Sequence, residues 1–538
     1  MKTFALAGLS LLQSLPSAAE YVWPSKYDYM EDLLYLQSGY IREGFRDGVT
    51  PCDFSSAGAG RQTAAEWVRT AYHDMATHDA AAATGGLDAS IMFETERDEN
   101  VGDAFNGTFG FTNNYYNIRA SAADLIALST VVAVGSCGGL QIPLRAGRVD
   151  ATEAGPLGVP KPDQDIDTHT NIFAKAGFNT SDMITMVACG HTLGGVHGVD
   201  FPEITFNDSA TNFEHFENDD SFHSFDNAVV TEYLSGNTSN PLVAGKNETN
   251  NSDKRVFGAD GNATMHTLSD PATFQSSCAS ILARMIDTVP AGVTLSEPLE
   301  PSPIKPYITT FALTNATHLT LTGRIRVLTT FDAYADQSVH LTYTPRHASN
   351  ATLNTTITTT RATYKLGTSS GLFGEVFAWH EFSVALPAAS SIAAFNVTVV
   401  RVSTGAAAVH DNAGHGFPLV DDVLHQASQS CLDTSSGASG PLTVVAAVRR
   451  ERAGEKVGVE VARKVERPGV AVPRIDVERV EMVEGEALGE WVVFKGTTEL
   501  ASESWSTSFD VVLGEGEAES RVEFQRTNGL RAEGCEAL

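Results

Sequence analysis

The hydrophobic pattern changes period once along this 538-residue chain, and no other feature restricts the fold as strongly. From about residue 20 to 290, apolar residues recur near i, i+3 and i+4. The clearest segments are AAEWVRTAYHDM (64–75), SAADLIALSTVVAV (121–134), SDMITMVACGHTL (181–193), SFDNAVVTEYL (224–234) and FQSSCASILARMIDTV (274–289). That spacing gathers the apolar set on one face of a helix. Four prolines follow in SEPLEPSPIKP (296–306), which reads as a linker or seam. Beyond it, HLTLTGRIRVL (318–328), SVHLTYT (338–344), WHEFSVAL (379–386) and AAFNVTVVRV (393–402) alternate apolar with polar residues, the period of half-buried strands. The chain therefore reads as multidomain. A mainly α-helical domain covers 20–298, a β-sandwich-like domain 299–435, and a second β-rich domain or extension 436–538, after the turn-rich CLDTSSGASG.

Charge excludes whole classes of partner. With 36 Lys+Arg against 66 Asp+Glu the chain carries a formal charge of -30, which repels nucleic acid and anionic membrane surfaces. Leu125 to Pro143 is uncharged and long enough to span a bilayer, but its Gly, Ser, Gln and Pro residues point to a buried helix breaking into a loop. Residues 1–19 pair Lys2 with an apolar stretch and the small residues Ser17-Ala18-Ala19, the pattern of a secretory leader. Eleven Asn-x-Ser/Thr sites, at Asn106, Asn179, Asn207, Asn237, Asn247, Asn250, Asn262, Asn315, Asn350, Asn354 and Asn396, suit a glycosylated extracellular protein. Six cysteines suit three disulfides in an oxidising compartment, with a pairing that spacing alone does not give.

Two short motifs carry chemistry. In WVRTAYHDM, Arg69 and His73 stand four residues apart, on one helix face within reach of the same small ligand. One holds its charge permanently, while the other shuttles a proton near neutral pH. In MVACGHTLGGVH, His191 lies on an expected helix among Gly190, Gly194 and Gly195, which leave room for something flat against the backbone. A metal-ligating His needs an acceptor for its other ring nitrogen, and Asp260 in RVFGADGN is the candidate.

These pieces, in this order, resemble the secreted fungal haem peroxidases, class II of the plant-peroxidase superfamily. RTAYHD resembles the distal helix motif, VACGHTLGG the proximal one, GGLDAS a calcium loop, RDEN the distal Asn segment and IPLRAGRVDA the connection between halves. The resemblance covers about 45–295 and implies haem b with His191 as axial ligand to the iron. It also implies Asp260 as the acceptor behind His191, His73 as acid–base group and Arg69 as stabiliser of developing charge. Asn100 would accept a hydrogen bond from His73. Tyr72 takes a position where Phe or Trp is expected. Two Ca2+ follow by the same resemblance: a distal one at Asp74, Gly86, Asp88 and Ser90, and a proximal one at Thr192, Asp219, Ser221 and Asp226. By analogy Cys52 pairs with Cys137, and Cys189 with Cys278, leaving Cys431 with Cys535.

The implied reaction reduces hydrogen peroxide to water while oxidising small organic donors, phenols first among them, by one-electron steps. Positions that bind manganese in some relatives read Gln62, Glu66 and His197, with one acid of three. A surface Trp used for bulky donors is replaced by Met186, and none of the five Trp suits an internal radical site. The alternative is a non-catalytic extracellular wall- or carbohydrate-binding protein on the same scaffold. In the β-rich region, Trp379, Trp491 and Trp505 are candidates for stacking on cell-wall polysaccharide, against the commoner role of core packing.

Overall fold

The structure is a computed structural model that describes residues 21–55, 61–218, 222–346, 355–435, 437, 439–532 and 534–536. The expected leader, the sequons at Asn350 and Asn354, and the expected calcium ligands Asp219 and Ser221 lie outside the described residues. Helices occupy the first half and antiparallel strands the second. Among the described residues the helices are α1 (Asp28–Tyr35), α2 (Thr63–Met75), α3 (Ala104–Thr112), α4 (Ala122–Ser136), α5 (Ile166–Lys175), α6 (Thr180–Gly190), α7 (Pro202–Thr205), α8 (Ala228–Ser235), α9 (Ser252–Phe257), α10 (Ala263–Leu268) and α11 (Pro271–Ile286).

Helix α2 shows why the periodic segments fold as read. Ala64, Trp67, Val68, Ala71 and Met75 are all buried, which leaves the Arg69 and His73 face free for a site. Helix α4 is buried along residues 122–134, starts at the Ser121 cap, whose Oγ accepts from Asp124 N, and ends at Ser136. The uncharged stretch is thus a core helix followed by a loop. Among the described residues no helix is long and apolar enough to cross a membrane. Helix α6 opens on a reciprocal cap between Asn179 and Asp182 and closes at Gly190. His191 is the C-cap, at φ -91° and ψ 11°, so it stands one residue past the helix rather than on it.

The β half forms two sandwiches. In the first, the edge strand Ile304–Asn315 joins His318–Thr329 and Val376–Pro387, facing Gln337–Pro345 and Ile392–Arg401 across a core of Leu321, Ile325, Leu341 and Val397. In the second, Gly440–Arg449 and Trp491–Leu500 face Val457–Val465 and Ser508–Leu513. Val423–His425 and Cys431–Leu432 pair with Gly440–Arg449. The second sandwich therefore begins before the boundary expected at 435, because the turn-rich break is a loop inside it.

The bodies are stitched together. Ser38–Gly39, just after α1, pairs with Thr368–Ser370 of the first sandwich. Glu31 and Asp32 on α1 meet Lys305 and Arg326 on its strands in a buried ion cluster, with Lys305 Nζ 2.8 Å from Glu31 and 2.9 Å from Asp32. Disulfides join Cys52 to Cys137, Cys189 to Cys278 and Cys431 to Cys535. Trp379 and Trp491 are fully buried, whereas Trp505 is 49% exposed. The Asn250 side chain is buried and donates to the Glu203 carbonyl, so this sequon is closed to glycan in the folded chain.

Candidate active site

A cavity of about 640 Å³ lies in the helical domain, and both motif histidines line it, His73 from α2 and His191 from the end of α6. Val68, Phe173, Met186, Leu193 and Leu282 supply apolar walls. Among the described residues a Cβ at Gly190 would meet nothing within 4 Å, so that glycine does open onto space. Gly194 and Gly195 line the cavity too, and they also allow close packing behind it. Gly194 sits at φ +86° with Ala65 against it, and a Cβ at Gly195 would strike the Glu214 carbonyl across the short hairpin of Gly195–His197 and Phe213–His215.

On the α2 side, hydrogen bonds fix the His73 tautomer. Asn100 donates from Nδ2 to the Glu94 carbonyl at 3.0 Å, so its Oδ1 is the acceptor 2.8 Å from His73 Nδ1. The proton therefore sits on Nδ1, and Nε2 is left as a base. Burial, reinforced by the Arg69 charge and opposed by Asn100, pushes His73 down to about 3. Arg69 donates to the Val101 carbonyl at 2.9 Å and lies 4.7 Å over the Phe105 ring. Tyr72 is stacked on Phe173 at 5.9 Å and also lines the cavity. Arg69, His73 and Asn100 are thus brought together.

The α6 side departs from expectation. His191 Nδ1 donates to Asp253 Oδ2 at 2.8 Å, and Asn240 donates to the same oxygen at 2.9 Å. Asp260 is not the acceptor. It lies in the turn between α9 and α10, where its Oδ2 takes the Thr264 N–H at 2.9 Å and the Thr264 hydroxyl at 2.6 Å. The physical reason is position: Asp253 stands in the first turn of α9 and is 1% exposed, while Asp260, seven residues on, falls in a turn and caps α10. Phe216, unmarked in the sequence, stacks on the His191 ring with centroids 4.2 Å apart.

At the expected calcium positions the described acids accept hydrogen bonds from backbone N–H groups. Asp74 accepts from Ala89 N at 2.7 Å and Ile91 N at 3.0 Å, and Asp88 accepts from Ser90 N at 3.0 Å. Burial, reinforced by the Asp88 charge, holds Asp74 well above the ordinary carboxylate range. On the other side Thr192 donates to Glu217 Oε1 at 2.8 Å and reaches the Asp226 carbonyl. Glu217, which the sequence reading passed over, keeps Oε2 buried without a partner among the described residues and is pushed up to about 8 by burial and the Asp226 charge against the Thr192 bond. Among the described residues no group of three or more His, Cys, Asp or Glu is spaced to hold a metal.

The remaining substrate positions are already committed. Gln62 accepts the Gly194 N–H at 2.6 Å and donates to the Cys52 carbonyl, and Arg61 holds Glu66 at 2.7 Å. Burial and the charges of Arg61 and Arg69 lower His197 to about 4. Met186 is buried on the cavity wall, so it does not mark a surface position.

Residues 53–284 match the family model described as Peroxidase, a stretch that contains both histidine walls. The helical domain of this chain belongs to the peroxidase family. Along nearly its whole length the chain is also of one family with a WSC domain-containing protein of Arthroderma benhamiae, 38% identical over 534 residues, 98% of this chain and 69% of that relative. Two Arabidopsis thaliana proteins align with the peroxidase domain. L-ascorbate peroxidase 5, peroxisomal, is 33% identical over 182 residues, 34% of this chain and 61% of its own length. L-ascorbate peroxidase 2, cytosolic, is 31% identical over 165 residues, 29% of this chain and 64% of its own.

Proposed function

We propose that the chain is a secreted haem peroxidase that reduces hydrogen peroxide to water and oxidises small organic donors, phenols among them, one electron at a time. The observation that carries this reading is the pair of cavity histidines, each with its Nδ1 engaged, by Asn100 in one case and Asp253 in the other. The residues fit haem b. The walls are apolar, Gly190 opens onto space, and His191 Nε2 has no partner among the described residues. When bound through His191, haem supplies the redox-active iron at which the peroxide O–O bond is cleaved.

The chain's own residues do the rest. His73 Nε2 takes the proton from one peroxide oxygen and returns it to the departing one, a role that needs the neutral ring its burial enforces. The Arg69 guanidinium stabilises negative charge developing on the departing oxygen. Asp253 pulls on the His191 Nδ1 proton and makes Nε2 a stronger donor. One peroxide and two one-electron donors give two waters and two donor radicals. Commitment of Gln62 and Glu66 to protein partners argues against manganese as donor.

Calcium belongs to the same reading. Asp74 and Asp88, with Gly86 and Ser90, form one candidate site, since a cation would relieve the two facing acids. The other gathers Thr192, Glu217 and Asp226, where the buried Glu217 Oε2, unpartnered among the described residues, is the supporting observation. Secretion is supported by the leader pattern, the sequons and the three disulfides. A wall or polysaccharide contact through the β-rich half rests on the exposed Trp505.

His73→Leu tests the distal role. Loss of a positioned acid–base group slows reaction with peroxide by about 10²-fold or more, whereas reaction at the wild-type rate overturns it. Protein made with haem available that binds none favours the non-catalytic alternative.

A further inference from the structure

The second sandwich sends one loop back into the helical domain. Between the strands Val457–Val465 and Arg474–Glu481, Val472 is 1% exposed and packs in the helical core, with Val470 and Ala471 against it. The Ala471 N–H donates to the Met92 carbonyl at 3.0 Å. Asn113, capping the end of α3, donates to the Ala471 carbonyl at 2.9 Å. Arg467 closes the loop by donating from Nη2 to the Val472 carbonyl at 2.8 Å, and its guanidinium lies 4.9 Å over the Phe93 ring.

The segment this loop grips is the one on which His73 depends. Ser90–Phe93 is a single 3-10 turn, entered through Ala89 at φ +60°, a left-handed conformation that a residue with a side chain rarely adopts. Such a turn has poor hydrogen-bond geometry of its own and leans on outside contacts. Its Ala89 and Ile91 N–H groups hold Asp74, the residue next to His73. The carbonyl of Glu94, which follows it, holds Asn100, and Asn100 holds His73. Two tethers of one histidine thus converge on residues 89–94.

We propose that the 466–473 loop is a strut of the peroxide-reacting side of the cavity, with Arg467 and Val472 as positioning residues that hold the 89–94 segment and, through it, His73. This gives the C-terminal sandwich a part in the chemistry, and it rests on the haem peroxidase reading. A displacement of about 1 Å at a reacting group costs up to about 100-fold in rate, so loosening a strut is visible in kinetics.

The test uses the full-length chain with haem and compares wild type, Arg467→Ala, Val472→Ala and Arg467→Lys. Haem occupancy comes from the Soret absorbance, the peroxide step from stopped flow, and the donor step from turnover at saturating peroxide. Amide hydrogen exchange at Ala89 and Ile91 is followed in haem-free protein. Arg467→Ala is expected to slow the peroxide step about tenfold or more at equal haem occupancy, with the donor step unchanged. The two amides exchange faster with or without haem, and Arg467→Lys regains most of the rate. Should Arg467→Ala fail to fold, Val472→Ala, which only shortens one buried side chain, carries the same expectation. A peroxide step unchanged in folded variants overturns the strut, as does a loss of rate that merely tracks lost haem. Wild-type protein that takes up no haem fails the peroxidase reading instead, and the exchange rates still judge the strut.

Discussion

Replacing Asp253 and Asp260 one at a time separates the two carboxylates that compete for the role behind His191. In Asp253→Ala, the His191 Nδ1–H and the Asn240 amide lose an acceptor at 2.8 and 2.9 Å, in a position 1% exposed. Hydrogen bonds to a charged partner are each worth about 1.5–3 kcal/mol, so about 3–6 kcal/mol of local interaction disappears. Removing the partner of a ligating histidine typically lowers metal affinity or activity about 10–100-fold, and a loss in that range is expected in the peroxide step. Asp260→Ala deletes only the two bonds to Thr264, a helix-capping loss of about 1 kcal/mol that leaves the rate within about threefold. The assay is stopped-flow absorbance at matched haem occupancy. Equal slowing by both variants, or a larger effect from Asp260→Ala, refutes the proximal geometry.

Other outcomes follow from buried charge. Arg326→Met strips Glu31 and Asp32 of a buried partner and should cost about 3–5 kcal/mol in urea unfolding, and a loss near zero would contradict the ion cluster as a seam between α1 and the first sandwich. Chelation should lower the unfolding temperature of wild type and do so less in Glu217→Gln; equal effects in both would remove calcium from Glu217. Burial lowers His425 to about 4, so above the ordinary histidine range both states are neutral and its titration leaves stability unchanged. As pH falls from about 6.5 to about 4 only the unfolded chain takes the proton, and stability drops by roughly 1.4 kcal/mol per pH unit. His425→Gln should flatten that acid limb in urea titrations, and an unchanged slope would show that this ring does not shape it.

The helical half was legible because its apolar faces repeat at helical spacing and because Arg69 and His73 stand one turn apart on a single helix. The proximal acceptor was not. Asp260 sits in a conspicuous Gly-flanked turn, whereas Asp253 hides in the first turn of a six-residue helix, marked only by the apolar Val256 and Phe257 that follow it. Gly440–Arg449 escaped notice because it is buried on both faces and does not alternate. Ile304–Asn315 was masked by Pro306, which its place at the sheet edge allows. Glu217 carries no motif, and its meaning comes from a buried oxygen. Contacts such as Arg467 with Phe93 join distant parts of the chain, a pairing that no local pattern encodes.

The most direct measurement is the absorption spectrum of the full-length chain produced with haem available. A Soret band in wild type that changes on adding one equivalent of peroxide, and that is lost in His191→Ala, is the predicted result. Wild-type protein with no Soret band, or a band that survives in His191→Ala unchanged, would contradict the account.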